Sequence, residues 1–182
     1  LEARELSLEE LGKMQPGLNR EIQGAIHYQC DAHTTPNQIM ERFKSFLPNA
    51  GVEIHTKTEV TAFRSSGAIL KGVETSKGYF KADEVVLASG AWSPLLGKQL
   101  GIRLPLQAGK GYRIDLSRPT PVRIPAVLME AKVAITPMDG FTRLAGTMEL
   151  SGINNDIRKN RVEAKARLTE QYYDELRVEP KE

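Results

Sequence analysis

The chain has 182 residues, 40% apolar and 26% charged, the composition of an ordinary globular fold with room for one compact domain or two small lobes. Its net charge is +2, and Lys and Arg are interspersed with Asp and Glu, so no basic block gathers the phosphate contacts that nucleic acid requires. A single cysteine, Cys30, excludes an internal disulfide, and a cytoplasmic location, or one peripheral to an inner membrane, is the expectation. No apolar run approaches the roughly 20 residues that cross a bilayer as a helix. The opening stretch, Leu1 to Leu6, lacks the basic head and apolar run of a signal peptide. It reads as a start in mid-stream.

Ser7-Leu8-Glu9-Glu10-Leu11 predicts a short helix, with Ser7 and Glu10 forming a capping box and Pro16-Gly17 ending it. A short strand is expected over Gly24 to Tyr28. Thr35-Pro36 opens a helix in which Ile39, Met40, Phe43, Phe46 and Leu47 recur on one face. The period then changes to two, at Val52 and Ile54 and again at Val60 to Phe63. Ile69 to Val73 and Tyr79 to Ala82 complete a small antiparallel excursion between glycine turns. Glu84-Val85-Val86-Leu87-Ala88 is unbroken and largely apolar, the pattern of a parallel strand covered on both faces. Ser93-Pro94 then starts a short helix that closes at Gly101.

From Leu104 onward the reading is mainly strand: Gly111 to Leu116, Ala126 to Met129, Lys132 to Thr136 and Phe141 to Thr147. Asp156 is expected to cap a long helix reaching Leu176, with Val162, Lys165, Ala166, Thr169 and Tyr173 on one side. The expected fold class is therefore α/β (α+β). Residues 1–103 make a partial α/β layer, and residues 104–182 an antiparallel sheet with a C-terminal helix.

Two constellations could carry chemistry on residue type alone. Ala88-Ser89-Gly90-Ala91-Trp92 places small residues between a buried strand and a helix start, where backbone can approach a flat or phosphorylated ligand. The plainer alternative is a glycine turn. His27, Cys30 and His33 have a His-x2-Cys-x2-His spacing, but zinc needs a fourth ligand, so no metal site is expected. Nothing marks Cys30 as a nucleophile with His33 as its base.

The run Ala82-Asp83-Glu84-Val85-Val86-Leu87-Ala88-Ser89-Gly90-Ala91-Trp92-Ser93-Pro94 closely resembles the strand that returns to the flavin in the D-amino-acid oxidase superfamily. Further stretches fit in the same order. They are Gly24-Ala25-Ile26, Asp31-Ala32-His33, Pro36, Gly51 to Ile54, and Val60. After them come Leu104-Pro105-Leu106, Lys110-Gly111-Tyr112, Ile135 to Met138, and Ala145-Gly146-Thr147-Met148-Glu149. The resemblance covers nearly the whole chain and is nearest to bacterial D-amino-acid dehydrogenases. Enzymes oxidising glycine, sarcosine or D-hydroxyproline are neighbours. The family's Gly-x-Gly-x-x-Gly turn is missing, since Gly109-Lys110-Gly111-Tyr112 lacks the third glycine, so the chain reads as the middle portion of a longer protein.

The resemblance implies FAD as cofactor, bound by the intact protein and weakly or not at all by this portion alone. Val60, Ala88, Ser89, Gly90, Ala91 and Trp92 would face the cofactor, and Tyr112, His33 and Thr147 the amino-acid substrate. The implied reaction is oxidation of a C–N bond, with electrons passing to a quinone, an electron-transfer chain or oxygen. No protein nucleophile or paired carboxylate is needed, and no catalytic side chain is assigned. Self-association through uncovered edges is a further expectation. The competing reading is a non-catalytic domain that keeps the fold.

Overall fold

A computed structural model describes residues 2–19 and 21–179. Leu1, at the head of the opening stretch, and residues 180–182, at the end of the expected C-terminal lobe, lie outside the described residues. In chain order the elements are β1 (Ala3–Leu6), α1 (Leu8–Met14), β2 (Ala25–Tyr28), α2 (Pro36–Asn49), β3 (Val60–Ser66), β4 (Ile69–Thr75) and β5 (Gly78–Lys81). A 3-10 turn (Gly90–Trp92) leads into α3 (Ser93–Gln99), followed by β6 (Lys110–Leu116), β7 (Ala126–Leu128), β8 (Val133–Met138), β9 (Phe141–Glu149) and α4 (Lys159–Glu170). Among the described residues the strands form sheets in the orders β1-β2, β3-β4-β5 and β6-β9-β8-β7. Every pairing in them is antiparallel. The architecture is mixed α/β, as expected.

The chain divides into two compact units. One contains residues 1–41, 110–149 and 154–182; the other contains residues 42–109 and 150–153. The sequence placed a boundary at 103/104. The structural division falls at Gly109/Lys110, and the first 41 residues group with the four-stranded sheet.

In the sheet unit, alternation decides which side chains are buried. Ile114 and Leu116 of β6, Val133 and Ile135 of β8 and Leu144 of β9 are each at most 2% exposed. They form one core with Ala166 of α4 and with Tyr173, Leu176 and Val178 beyond it. Each such aliphatic side chain stabilises the unit by roughly 1.5–3 kcal/mol relative to exposure. Helix α4 is shorter than the sequence predicts. Asp156 does not cap it; Arg158 occupies that position without a side-chain cap. The helix stops at Glu170 because the chain turns to bury Tyr173, which bridges to Leu18.

Helix α1 carries the expected capping box, Ser7 Oγ accepting from Glu10 N at 3.2 Å and Glu10 Oε2 from Ser7 N at 3.0 Å. The residue after it ties this end to the sheet unit. Gln15, 1% exposed, donates from Nε2 to the Tyr173 hydroxyl at 2.8 Å. Its Oε1 accepts from the backbone N–H groups of Arg123 (2.8 Å) and Ile124 (3.1 Å).

In the other unit, β3-β4-β5 forms the expected antiparallel excursion, and Gln99 of α3 donates to the Thr61 carbonyl at 3.2 Å. Two expectations are corrected. Val52 to Ile54 pairs with no strand among the described residues. Glu84 to Ala88 is not a buried parallel strand: it has no strand pairing, and Val86 is 88% exposed. The expected apolar face of α2 is present and likewise uncovered among the described residues, with Phe43 48% and Phe46 61% exposed. The physical reason is shared. An apolar run becomes a covered strand or helix only when a neighbour packs on it, and the described residues supply none.

Replacing Gln15 with Leu leaves two part-buried backbone N–H groups and a buried phenol short of partners. The expected loss is about 1–3 kcal/mol in the stability of the sheet unit. Urea unfolding followed by far-ultraviolet circular dichroism measures it. An unchanged midpoint would show that water replaces the amide.

Candidate functional site

The two groups of residues singled out in the sequence fall in different units. Val60, Ala88, Ser89, Gly90, Ala91 and Trp92 all belong to the unit of residues 42–109. Val60 begins β3 and pairs with Thr75, next to a register shift. Ala88 to Trp92 runs into the 3-10 turn and α3. Gly90 has φ +54, a left-handed conformation that glycine adopts without a steric penalty. A Cβ built on Gly90 meets nothing within 4 Å, so the approach to its backbone is open. Trp92 is 57% exposed, whereas Ser93 behind it is buried, its Oγ 3.4 Å from Ser89 Oγ. An open glycine flanked by small residues and a free indole face can receive a flat ligand.

Tyr112, His33 and Thr147 belong to the sheet unit. Strands β6 and β9 pair regularly from Leu116↔Thr142 to Tyr112↔Gly146, and the next pair is Gly111↔Met148. Thr147 is thus an extra residue on β9, a β-bulge, with φ +56. A β-branched residue there is a genuine outlier, and such bulges gather where a strand re-aims its side chains. Beyond the bulge the alternation reverses. Met148 is 75% exposed, and Glu149, 5% exposed, turns to the buried side.

Glu149 is the centre of a charged cluster. Its Oε2 accepts from the Tyr112 hydroxyl at 2.8 Å. Lys110 Nζ (3.5 Å), Arg158 Nε (3.3 Å) and Arg161 Nε (3.5 Å) surround it. Tyr112 is 6% exposed, so the donor expected to face a substrate carboxylate is engaged with an internal one. Lys165 of α4, 2% exposed, reaches the same strands from below. Its Nζ donates to the carbonyls of Tyr112 and of Gly146, the latter at 3.1 Å. Burial pushes this ammonium down to about 8. Gly146 must be glycine for a separate reason, because a Cβ would lie 2.5 Å from the Lys132 carbonyl of the adjoining strand connection.

His33 is exposed, in the irregular segment between β2 and α2. Nearby, Thr35 Oγ1 accepts from Asp139 N at 3.2 Å, which ties that segment to the β8–β9 turn. His27 lies in β2, and Cys30 is exposed with Sγ 4.0 Å from Asp31 Oδ1. Among the described residues no group of three His, Cys, Asp or Glu is arranged to hold a metal ion. No described helix is long and apolar enough to cross a membrane. The sequence reading missed the roles of Lys165 and Glu149. The available signal was a lysine on an otherwise apolar helix stripe between Val162 and Thr169.

Residues 1–181 match the model of the FAD dependent oxidoreductase family, DAO. A D-amino acid dehydrogenase of Neisseria meningitidis is 33% identical over 169 residues, which is 90% of this chain and 40% of that protein. A glycine oxidase of Pseudomonas aeruginosa is 32% identical over 83% of this chain and 42% of its own length. Among solved structures, glycine oxidase from Bacillus cereus superposes with a TM-score of 0.81 at 23% identity, covering 98% of this chain and 51% of that one. L-proline dehydrogenase from P. horikoshii gives 0.84 at 18% identity, with 94% and 48% covered. The chain thus spans about two-fifths of the length of the curated relatives it matches.

The lowered Lys165 value makes a signed prediction about pH. A lysine that is harder to charge when folded opposes folding fully below pH 8, and this opposition fades as pH rises toward the ordinary lysine value. Between pH 7 and 9.5 the wild-type protein should gain roughly 1–2 kcal/mol relative to Lys165→Met. Paired urea titrations at the two pH values check it. A parallel response of both proteins would mean that the ammonium is not desolvated in solution.

Proposed function

Because this chain belongs to the FAD dependent oxidoreductase family, DAO, we propose that the protein carrying it oxidises the C–N bond of D-amino acids to imino acids. The imine then hydrolyses to a keto acid and ammonia. The observation that carries the cofactor side is the open, positive-φ Gly90 between Ser89 and Ala91, beside an exposed Trp92. These residues fit FAD: a ring system can lie against the glycine backbone without displacing any side chain. FAD, when bound, supplies the acceptor for the hydride leaving the substrate α-carbon. A quinone, an electron-transfer chain or oxygen then takes the electrons.

On the substrate side we assign Thr147 and His33 to the amino acid. Tyr112 enters through Glu149. Its one proton is committed to that carboxylate, so its part is to hold the strand beneath the bulge rather than to bond the substrate. The protein's contribution is orientation. A second reading, an oxidase of glycine, sarcosine or D-hydroxyproline, is favoured by the comparable identity to a glycine oxidase. The intact protein assayed against D-amino acids, glycine and sarcosine, with a dye acceptor and with oxygen, separates the two. Preference for D-amino acids with dye supports the first; turnover of glycine with oxygen supports the second.

Two substitutions follow. Gly90→Val forces a β-branched side chain into a left-handed backbone and into the ligand's approach, so the purified protein should be largely flavin-free. Full flavin content in that variant would move the cofactor elsewhere. Tyr112→Phe should lower stability by about 1–3 kcal/mol, through the bond lost by buried Glu149, while KM stays within about twofold because Lys110, Arg158 and Arg161 still hold that carboxylate and Lys165 the strand pair. A raised KM at unchanged stability would restore a direct substrate contact.

A further inference from the structure

The bulge at Thr147 is clamped from the helix side on both flanks. Before it, the paired residues Tyr112 and Gly146 both present their carbonyls to Lys165 Nζ. After it, Glu149 is held by Tyr112, Lys110, Arg158 and Arg161. Thr147 between them keeps φ +56, a conformation that costs a β-branched residue free energy and needs its surroundings to impose it. Lys165 is 2% exposed and comes from α4, so its position is fixed by the core rather than by solvent. We propose that Lys165 is a positioning residue, whose ammonium holds the β6–β9 carbonyl pair and thereby sets Thr147 in the orientation that meets the substrate. This rests on the assignment of Thr147 to the substrate side.

Steady-state kinetics of the intact protein with D-alanine and a dye acceptor test it, comparing wild type, Lys165→Met, Thr147→Asn and the double variant. Asparagine keeps a hydrogen-bonding side chain and adopts positive φ readily, so the bulge can stand without the lysine. Lys165→Met should raise KM about tenfold with kcat and flavin content unchanged, whereas in the Thr147→Asn background the same change should move KM less than about twofold. Equal KM rises in both backgrounds overturn the proposal, as does an unchanged KM in Lys165→Met. If Lys165→Met does not fold but the double variant folds and has the KM of Thr147→Asn alone, the lysine acts through the bulge as stated. If neither folds, Lys165 is a folding residue and the proposal fails. Thr147→Ala isolates the underlying assignment. An unchanged KM there removes the substrate-side reading and the proposal with it; a raised KM there with none in Lys165→Met removes the proposal alone.

Discussion

The β6–β9 bulge is fixed in place by one buried lysine meeting two carbonyls. A lysine taken out of water costs free energy unless its protons find acceptors. Lys165 finds them on Tyr112 and Gly146, where the β6–β9 ladder is about to break register. Shortening the side chain would strand the carbonyls, and adding a Cβ at Gly146 would drive it into the Lys132 carbonyl. Helix α4, the bulge and the close approach of β8 are therefore one construction, held at a point that hydrophobic packing alone would leave unsatisfied.

The bulge also decides where charge goes. Were the ladder regular through Thr147, alternation would send Met148 inward and Glu149 outward. With the bulge, a carboxylate is buried among Lys110, Arg158 and Arg161, and a methionine is exposed. Buried charge of this kind adds little net stability but fixes geometry, because breaking any one partner leaves the others uncompensated. A strand that must present one residue in a strained conformation has use for that rigidity.

Much of the fold was legible from periodicity. The alternating runs at Ile69 to Val73, Gly111 to Leu116 and Phe141 to Thr147 became β4, β6 and β9, and Ser7 with Glu10 made the capping box. Apolar runs that need a pairing neighbour, at Val52 to Ile54 and Glu84 to Ala88, did not become strands, because a sequence pattern reports a tendency to be buried and not the presence of a partner. Gly90 was legible as a turn with open backbone. The bulge was not, since one extra residue in a strand changes no local pattern. Its consequences depend on Lys165 meeting Gly146, 19 positions away, and on Glu149 meeting Tyr112, 37 positions away.

The proposed flavin-dependent oxidation of amino acids rests on family membership and on an open glycine beside an exposed indole. The most direct measurement is anaerobic mixing of the flavin-loaded intact protein with D-alanine, following the visible absorbance of oxidised flavin. The account predicts bleaching that saturates with D-alanine and releases pyruvate and ammonia in step with the flavin reduced. A flavin that stays oxidised in the presence of D-amino acids, glycine and sarcosine alike would contradict it.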